Sequence, residues 1–418
     1  MAFARSLVEA SAFRRFSWCR RFRWQPAAVI ATFAAIGLAG CSSALNSRDL
    51  SAGLGNAPAA APAAPDATSP PPGAGDYKVG LVLPFSATGN AGSVALAMRN
   101  AAEMALADFR SANIQLLTKD DGGTAQGAQA AVEQVIDDGA QIVLGPLFSH
   151  SVSAAKTVAR NRGVPMIAFS NDSSVAAPGT YLLSFLPESD VDRVVAYAVS
   201  QGKRSFIGLA QSNAYGSVAE GEFKQSVARR GGRVVAFEHY GDDRNKIADI
   251  AKVVAQSANQ ADALFIPDGE TASDAVAALA AAGVNLRQFT ILGTQLWDDP
   301  RVYGNPQLEG AMFAGPDPAG FRAFSERYRS RYTGDPPRPA ALAYDAVSLI
   351  NALVKAQPGQ RITTEPLTNP SGFASEFNGV FRLRTDGTNQ RGLAVLKVTP
   401  SGPQVIAPAL RTFSLSAT

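Results

Sequence analysis

The chain of 418 residues carries two cysteines, Cys19 and Cys41, and two histidines, His150 and His239. Too few and too far apart, they cannot supply zinc, haem or cluster spacing. No metal or cofactor is expected. Neither a G-x-S-x-G elbow nor a G-x-x-x-x-G-K-[ST] loop occurs, and Ser149 and His150 are adjacent positions that cannot face one another as nucleophile and base. His239 lies in an alternating run and reads as a half-exposed strand histidine. The expectation is a binding protein with no catalytic residue. What remains is a set of hydroxyls, acids and amides in short loops behind apolar runs. Gly145 to Ser151 follows one run and opens a helical stretch; Ser149 and Ser151, with the free amides of a helix start, suit a carboxylate, or cap the helix. Ser170, Asn171 and Asp172 end the next run; Asp172 suits an ammonium group or a turn cap. Asp268 and Glu270 follow Ile266, Gln295 follows Gly293, and Phe85, Ser86 and Thr88 follow Leu83.

These loops are positioned by alternating strands and helices. Tyr77 to Leu83 reads as a strand, and Val94, Met98, Ala101, Ala105 and Phe109 recur at helical spacing behind it. The alternation continues with strands near 114–118, 141–144 and 165–169 and helices near 125–137 and 151–162. After Pro187 a second series begins, with helices near 191–200, 218–230, 246–255 and 272–281 and strands near 205–210, 233–238, 263–266 and 289–292. A helix from Phe321 to Tyr332, an amphipathic helix from Pro339, and strands near 380–383 and 393–398 close the chain. Such order predicts an α/β fold of two doubly wound parallel-sheet lobes. Ligands of open α/β sheets sit outside the carboxyl ends of the strands, where these loops fall.

The net charge is +3 and the apolar fraction 46%. That excludes a wholly disordered chain, and only one apolar run approaches bilayer length. Six arginines against one acid precede Gln25, and Ala27 to Leu38 is uninterrupted small and apolar sequence. This is the layout of a signal peptide, residues 1–40. Leu38-Ala39-Gly40-Cys41 resembles the bacterial lipoprotein box, which implies lipidation of Cys41. Residues 42–76 hold 10 Ala, 6 Pro, 4 Gly and 5 Ser, the composition of a linker. Removing the signal leaves 32 basic against 34 acidic residues, a charge of −2 on 378 residues. The positive charge belongs to the export segment, so nucleic acid is not an expected partner.

The strings VGLVLPFSATGN (79–90), DDGGTAQGAQAAVEQVIDDGAQIVLGPLFS (120–149), VPMIAFSND (164–172), Ala214-Tyr215-Gly216 and FNGVFRLRTDG (377–387), in this order, resemble the type 1 periplasmic binding proteins of the Leu/Ile/Val-receptor family from Tyr77 to about Arg411. The resemblance implies two lobes joined by three crossovers, placed near 184–187, 314–318 and 372–381. Lobe one then comprises 77–186 and about 317–372, and lobe two 187–316 and about 373–418. It further implies that Phe85, Ser86, Ser149, Ser151, Ser170, Asn171 and Asp172 face a ligand from lobe one and Tyr215, Asp268, Glu270 and Gln295 from lobe two. Tyr215 falls where an aromatic ring covers the ligand, by cation–π contact with an ammonium, or else packs under its loop. Gln295 stands where amino-acid receptors commonly carry an acid. The implied function is a lipid-anchored receptor that presents an amino-acid-like ligand to an inner-membrane ABC permease. The alternative is a lipoprotein similar to the activators of penicillin-binding proteins, with a peptidoglycan synthase as partner. Ser42 after Cys41 favours the outer membrane over the inner one.

Overall fold

A computed structural model describes residues 77–109, 113–241 and 246–413. The signal peptide, Cys41 and the linker lie outside the described residues. In chain order the first strands are β1 (Tyr77–Leu83), β2 (Ile114–Asp120), β3 (Ile142–Leu144), β4 (Met166–Ala168) and β5 (Thr180–Leu182). They form one parallel sheet in the order β2-β1-β3-β4-β5. Helices α1 (Asn90–Asp108), α2 (Ala125–Asp137) and α3 (Ser149–Asn161) connect them. Leu81 and Leu83 of β1 bury with Met98 and Ala101 of α1, whereas Val82 points to the opposite face among Val132, Val135 and Val152. The period-two alternation of a strand thus feeds two apolar layers, one on each side of the sheet.

The second lobe starts with α4 (Pro187–Ser200), then β6 (Ser205–Gln211), α5 (Ala214–Arg229), β7 (Arg233–Tyr240), α6 (Ile247–Ala255), β8 (Ala263–Phe265), α7 (Ala272–Ala281), β9 (Thr290–Gly293), α8 (Pro300–Tyr303) and β10 (Met312–Gly315). The chain then returns to the first lobe through α9 (Pro318–Arg329), α10 (Arg338–Ala356) and α11 (Thr364–Leu367), followed by β11 (Phe373–Ser375), β12 (Gly379–Leu383) and β13 (Asn389–Arg391). It finishes with β14 (Ala394–Thr399) and β15 (Gly402–Ala407). The second sheet has the order β15-β14-β10-β9-β8-β6-β7, with its parallel strands closed by an antiparallel pair. The expected α/β architecture of two wound lobes with three crossovers is therefore present.

The third crossover is displaced. It was expected near 372–381, but that stretch forms an antiparallel sheet of its own, β11-β12-β13, and the chain passes to the second sheet only through Gly392 and Leu393. The cause is apolar: Phe377, Phe381 and Leu383 bury in the core shared with α9, α10 and the first sheet. Helix starts also differ from the apolar periodicity. α5 begins at Ala214 because the Asn213 side chain accepts the Gly216 N–H at 2.7 Å, a cap that apolar spacing does not report.

β13 lies beside the first crossover. Asn389 Nδ2 donates to the carbonyls of Leu182 and Ser184 at 2.7 and 2.9 Å, and Arg391 Nε donates to Ser184 O at 2.8 Å. The Arg391 guanidinium sits 4.5 Å from the Phe185 ring centre and 5.4 Å from that of Phe381. The connection between the lobes is thus held by side-chain donors from a strand about 200 residues downstream.

Candidate functional site

The first wall is built by loops at the carboxyl ends of β1, β2, β3 and β4. After β1, the Ser86 N–H donates to Asp120 Oδ1 at 3.2 Å, and that carboxylate also takes the Gly122 N–H at 2.9 Å. Burial would raise the Asp120 pKa, but the Ser86 hydroxyl and the loop amides outweigh it and hold the carboxyl below its usual range. Phe85 is half-buried, with the Arg99 guanidinium 5.8 Å from its ring centre.

The loop after β3 makes a tight passage at Gly145, whose φ is +102°. A Cβ there would lie 1.9 Å from Val82 O, so only glycine fits. Beyond it, Ser151 is fully buried and its Oγ donates to Thr124 O at 3.3 Å. This buried serine ties two loops together. Ser149 is half-buried at the first position of α3 and spends its hydroxyl on no hydrogen bond among the described residues. It therefore stays available beside the unpaired amides of that helix start.

After β4, Ser170 is buried and its Oγ accepts the Asp172 N–H at 3.1 Å. Asp172 Oδ1 accepts both the backbone N–H and the hydroxyl of Ser174, at 3.0 and 2.6 Å. The turn cap expected of Asp172 is formed, through Oδ1. Asn171 is exposed.

The second wall gathers around the turn after β9. The Tyr215 hydroxyl donates to Thr294 Oγ1 at 2.9 Å, and Thr294 in turn donates to Pro267 O at 2.7 Å. Burial, with the nearby Asp190 charge adding to it, pushes the Tyr215 pKa well above its ordinary value, so the phenol stays protonated. Asp268 Oδ1 accepts the Glu270 N–H at 2.9 Å, and Gly269 packs directly under Leu296 O. Tyr215, Asp268 and Gln295 are thereby gathered at one turn, with Gln295 buried and Glu270 exposed. Replacing Tyr215 by Phe should cost about 0.5–1.5 kcal/mol in urea unfolding, the net worth of one hydrogen bond. A loss several times larger would mean that the hydroxyl organises the whole turn.

Behind this turn stands a residue that the sequence reading did not single out. Asp190 is 1% exposed in the first turn of α4; its Oδ2 accepts the Gln295 N–H at 3.1 Å, and its Oδ1 has no hydrogen-bond partner. Burial pushes its pKa up to about 8, against the pull of the Gln295 amide and the Arg391 charge. In the sequence, Pro-Glu-Ser-Asp looks like an ordinary acidic helix start. The available signal was periodicity: Asp190 lies four residues before Val194 and so falls on the apolar face. Asp121, also 1% exposed, is the first wall's counterpart; its Oδ1 accepts the Gly123 N–H at 2.8 Å, while burial raises its pKa and Oδ2 has no partner.

Among the described residues no group of His, Cys, Asp and Glu is placed to hold a metal ion, and no helix is long and apolar enough to cross a membrane. The site offers a hydroxyl and helix-start amides on one wall, and buried carboxylate with aromatic surface on the other. Hydroxyl and amide groups suit a carboxylate, and a carboxylate suits an ammonium group.

The profile of the family described as "Periplasmic binding protein" matches residues 76–403. A curated relative, the Leu/Ile/Val-binding protein homolog 6 of Brucella abortus (strain 2308), is 24% identical over 250 residues, or 57% of this chain. The chain spans about 64% of the length of the curated relatives it matches first. Among solved structures, a branched-chain amino acid ABC transporter structure from Rhodospirillum rubrum is 22% identical with a TM-score of 0.69, covering 79% of this chain and 100% of that one. A solute-binding protein of an ABC transporter from R. palustris, in complex with benzoate, is 19% identical with a TM-score of 0.61, covering 82% and 99%.

Proposed function

The chain belongs to the periplasmic binding protein family, and on that premise we propose that it is the solute receptor of an ABC-type transport system, binding a small amino-acid-like carboxylate between its lobes. One neighbour is named for branched-chain amino acid transport and the other for its complex with benzoate, two classes of carboxylate, and the first wall suits that group: Ser149 keeps its hydroxyl beside the free amides of α3. The observation that carries the reading is Asp190. Gln295 is neutral, and a buried carboxylate with one unpartnered oxygen stands immediately behind it, accepting its backbone N–H. An ammonium group is the natural partner of that oxygen. Lipidation at Cys41 and the Ala/Pro-rich stretch after it would then tether the receptor to a membrane, with an inner-membrane permease receiving the solute.

A thermal-shift screen against amino acids, aromatic carboxylates and simple amines tests the reading. A ligand at 100 times its Kd should add about 2.7 kcal/mol, a rise of roughly 5 °C for a domain pair of this size. The expected result is a shift with an α-amino acid larger than with its deaminated carboxylate. No shift with any carboxylate in the panel sinks the proposal.

A further inference from the structure

Arg338 opens α10, a first-lobe helix, yet its guanidinium pairs with Asp298 in the second lobe, in the loop between β9 and α8. A cation in the first turn of a helix opposes the macrodipole, so helix stability does not account for this residue. What it holds does. The other carboxylate oxygen of Asp298 accepts the Tyr303 hydroxyl. The guanidinium lies 4.4 Å from the Phe321 ring centre and 5.9 Å from that of Phe185 at the first crossover. The two charged side chains are 15% and 17% exposed, so solvent and salt screen the pair little. The Asp298 N–H donates to Gln295 O at 3.0 Å, which attaches the carboxylate to the turn that carries Gln295 and Trp297.

We propose that Arg338 and Asp298 are positioning residues that form an interlobe clasp: a first-lobe cation holds the Gln295 turn of the second lobe and sets the balance between lobe arrangements, and through it the affinity of the cleft. This rests on the reading of the cleft as the ligand site. The clasp acts on geometry alone, since neither residue is assigned a contact with the ligand. Because the pair is fixed to α10 on one side and to the cleft turn on the other, releasing it lets one lobe move against its neighbour.

The test measures interlobe distance with no solute added. Spin labels on Gln129→Cys of α2 and Lys252→Cys of α6, both exposed, report it in the mature chain with Cys41→Ser. Asp298→Asn and Arg338→Gln are each expected to broaden the distance distribution and shift its mean, and Tyr303→Phe to do so by less. The double swap Asp298→Arg with Arg338→Asp is expected to restore the wild-type distribution. An unchanged distribution in folded single variants overturns the proposal. Should those variants fail to fold, Tyr303→Phe, which deletes a single hydroxyl, decides: no change there overturns it equally. A chain that binds no solute defeats the cleft reading without altering this measurement, and intact binding with an unmoved distribution defeats the clasp alone.

Discussion

Replacing Asp190 by Asn is expected to weaken binding of an α-amino acid by roughly 30-fold to several thousand-fold and, in the same protein, to raise stability above pH 7. The first effect follows from removing one partner of a buried, hydrogen-bonded charge pair, which costs about 2–5 kcal/mol. The second follows from linkage. In the folded chain the Asp190 pKa is raised from 3.8 to about 8, mainly by burial. Its contribution to stability is complete below pH 4 and is lost as pH rises towards 8. Asparagine does not titrate, keeps an oxygen for the Gln295 N–H, and so escapes that loss. The difference between variant and wild type should therefore grow from pH 5 to pH 8 and level off above. Ligand affinity should run the opposite way in the wild type: an ammonium favours the ionised carboxylate, so affinity rises through this window, whereas the variant shows a flat profile. Calorimetric titration and urea unfolding over pH 5–9 check both. Equal affinities and parallel pH profiles would remove Asp190 from the site.

The contrast between Asp190 and Asp172 explains what could be read in advance. Both are acids in short polar strings, and composition treats them alike. Asp172 lies two residues from the Ser174 amide it caps, a local geometry that sequence always leaves open beside a ligand role. Asp190 meets Gln295 across 105 residues, a contact that exists only once α4 packs beneath β9 and β10. The lobes themselves were legible because parallel α/β architecture writes a repeating apolar period into every strand and helix. β11 and β13 were not, because Phe-Ala-Ser and Asn-Gln-Arg carry no apolar run of the kind that marks the equally short β3, β4 and β8, and β15 contains Pro403, which argues against a strand from sequence. The displaced third crossover has the same origin: Phe377 and Phe381 are apolar residues that either lobe would bury, and only the assembled core determines which one does.

Arg391→Met is expected to lose about 1–2 kcal/mol more stability at pH 8 than at pH 5, because it removes the counter-charge from two buried acids that ionise over that range. Arg391 is 4% exposed, its Nε is spent on Ser184 O, and Nη1 and Nη2 make no hydrogen bond. Its charge therefore serves at a distance. It lowers the pKa of two buried acids that burial has raised, Asp190 to about 8 and Asp345 to about 6, while burial brings its own pKa down to about 10. Asp345 sits on α10 in the first lobe, where it accepts from the Ser375 hydroxyl and Asn378 Nδ2 at 2.6 and 2.8 Å; Asp190 sits on α4 in the second. One cation at the crossover thus favours the ionised form of an acid from each lobe. Without it both folded-state pKa values rise further, so each acid loses more stability as pH climbs above 4, and the penalty of the substitution must grow with pH. Unfolding at pH 5 should show a small loss and at pH 8 a larger one. Packing and cation–π contact with Phe185 and Phe381 would give a loss that does not vary with pH, and that outcome would rule out the charge. Adding Asp190→Asn to Arg391→Met should recover part of the loss at pH 8 and little at pH 5, because the two residues then share one electrostatic interaction whose energy is not additive. Recovery in that double variant would tie the acid beneath the Gln295 turn to the cation at the first crossover, two groups that no hydrogen bond joins.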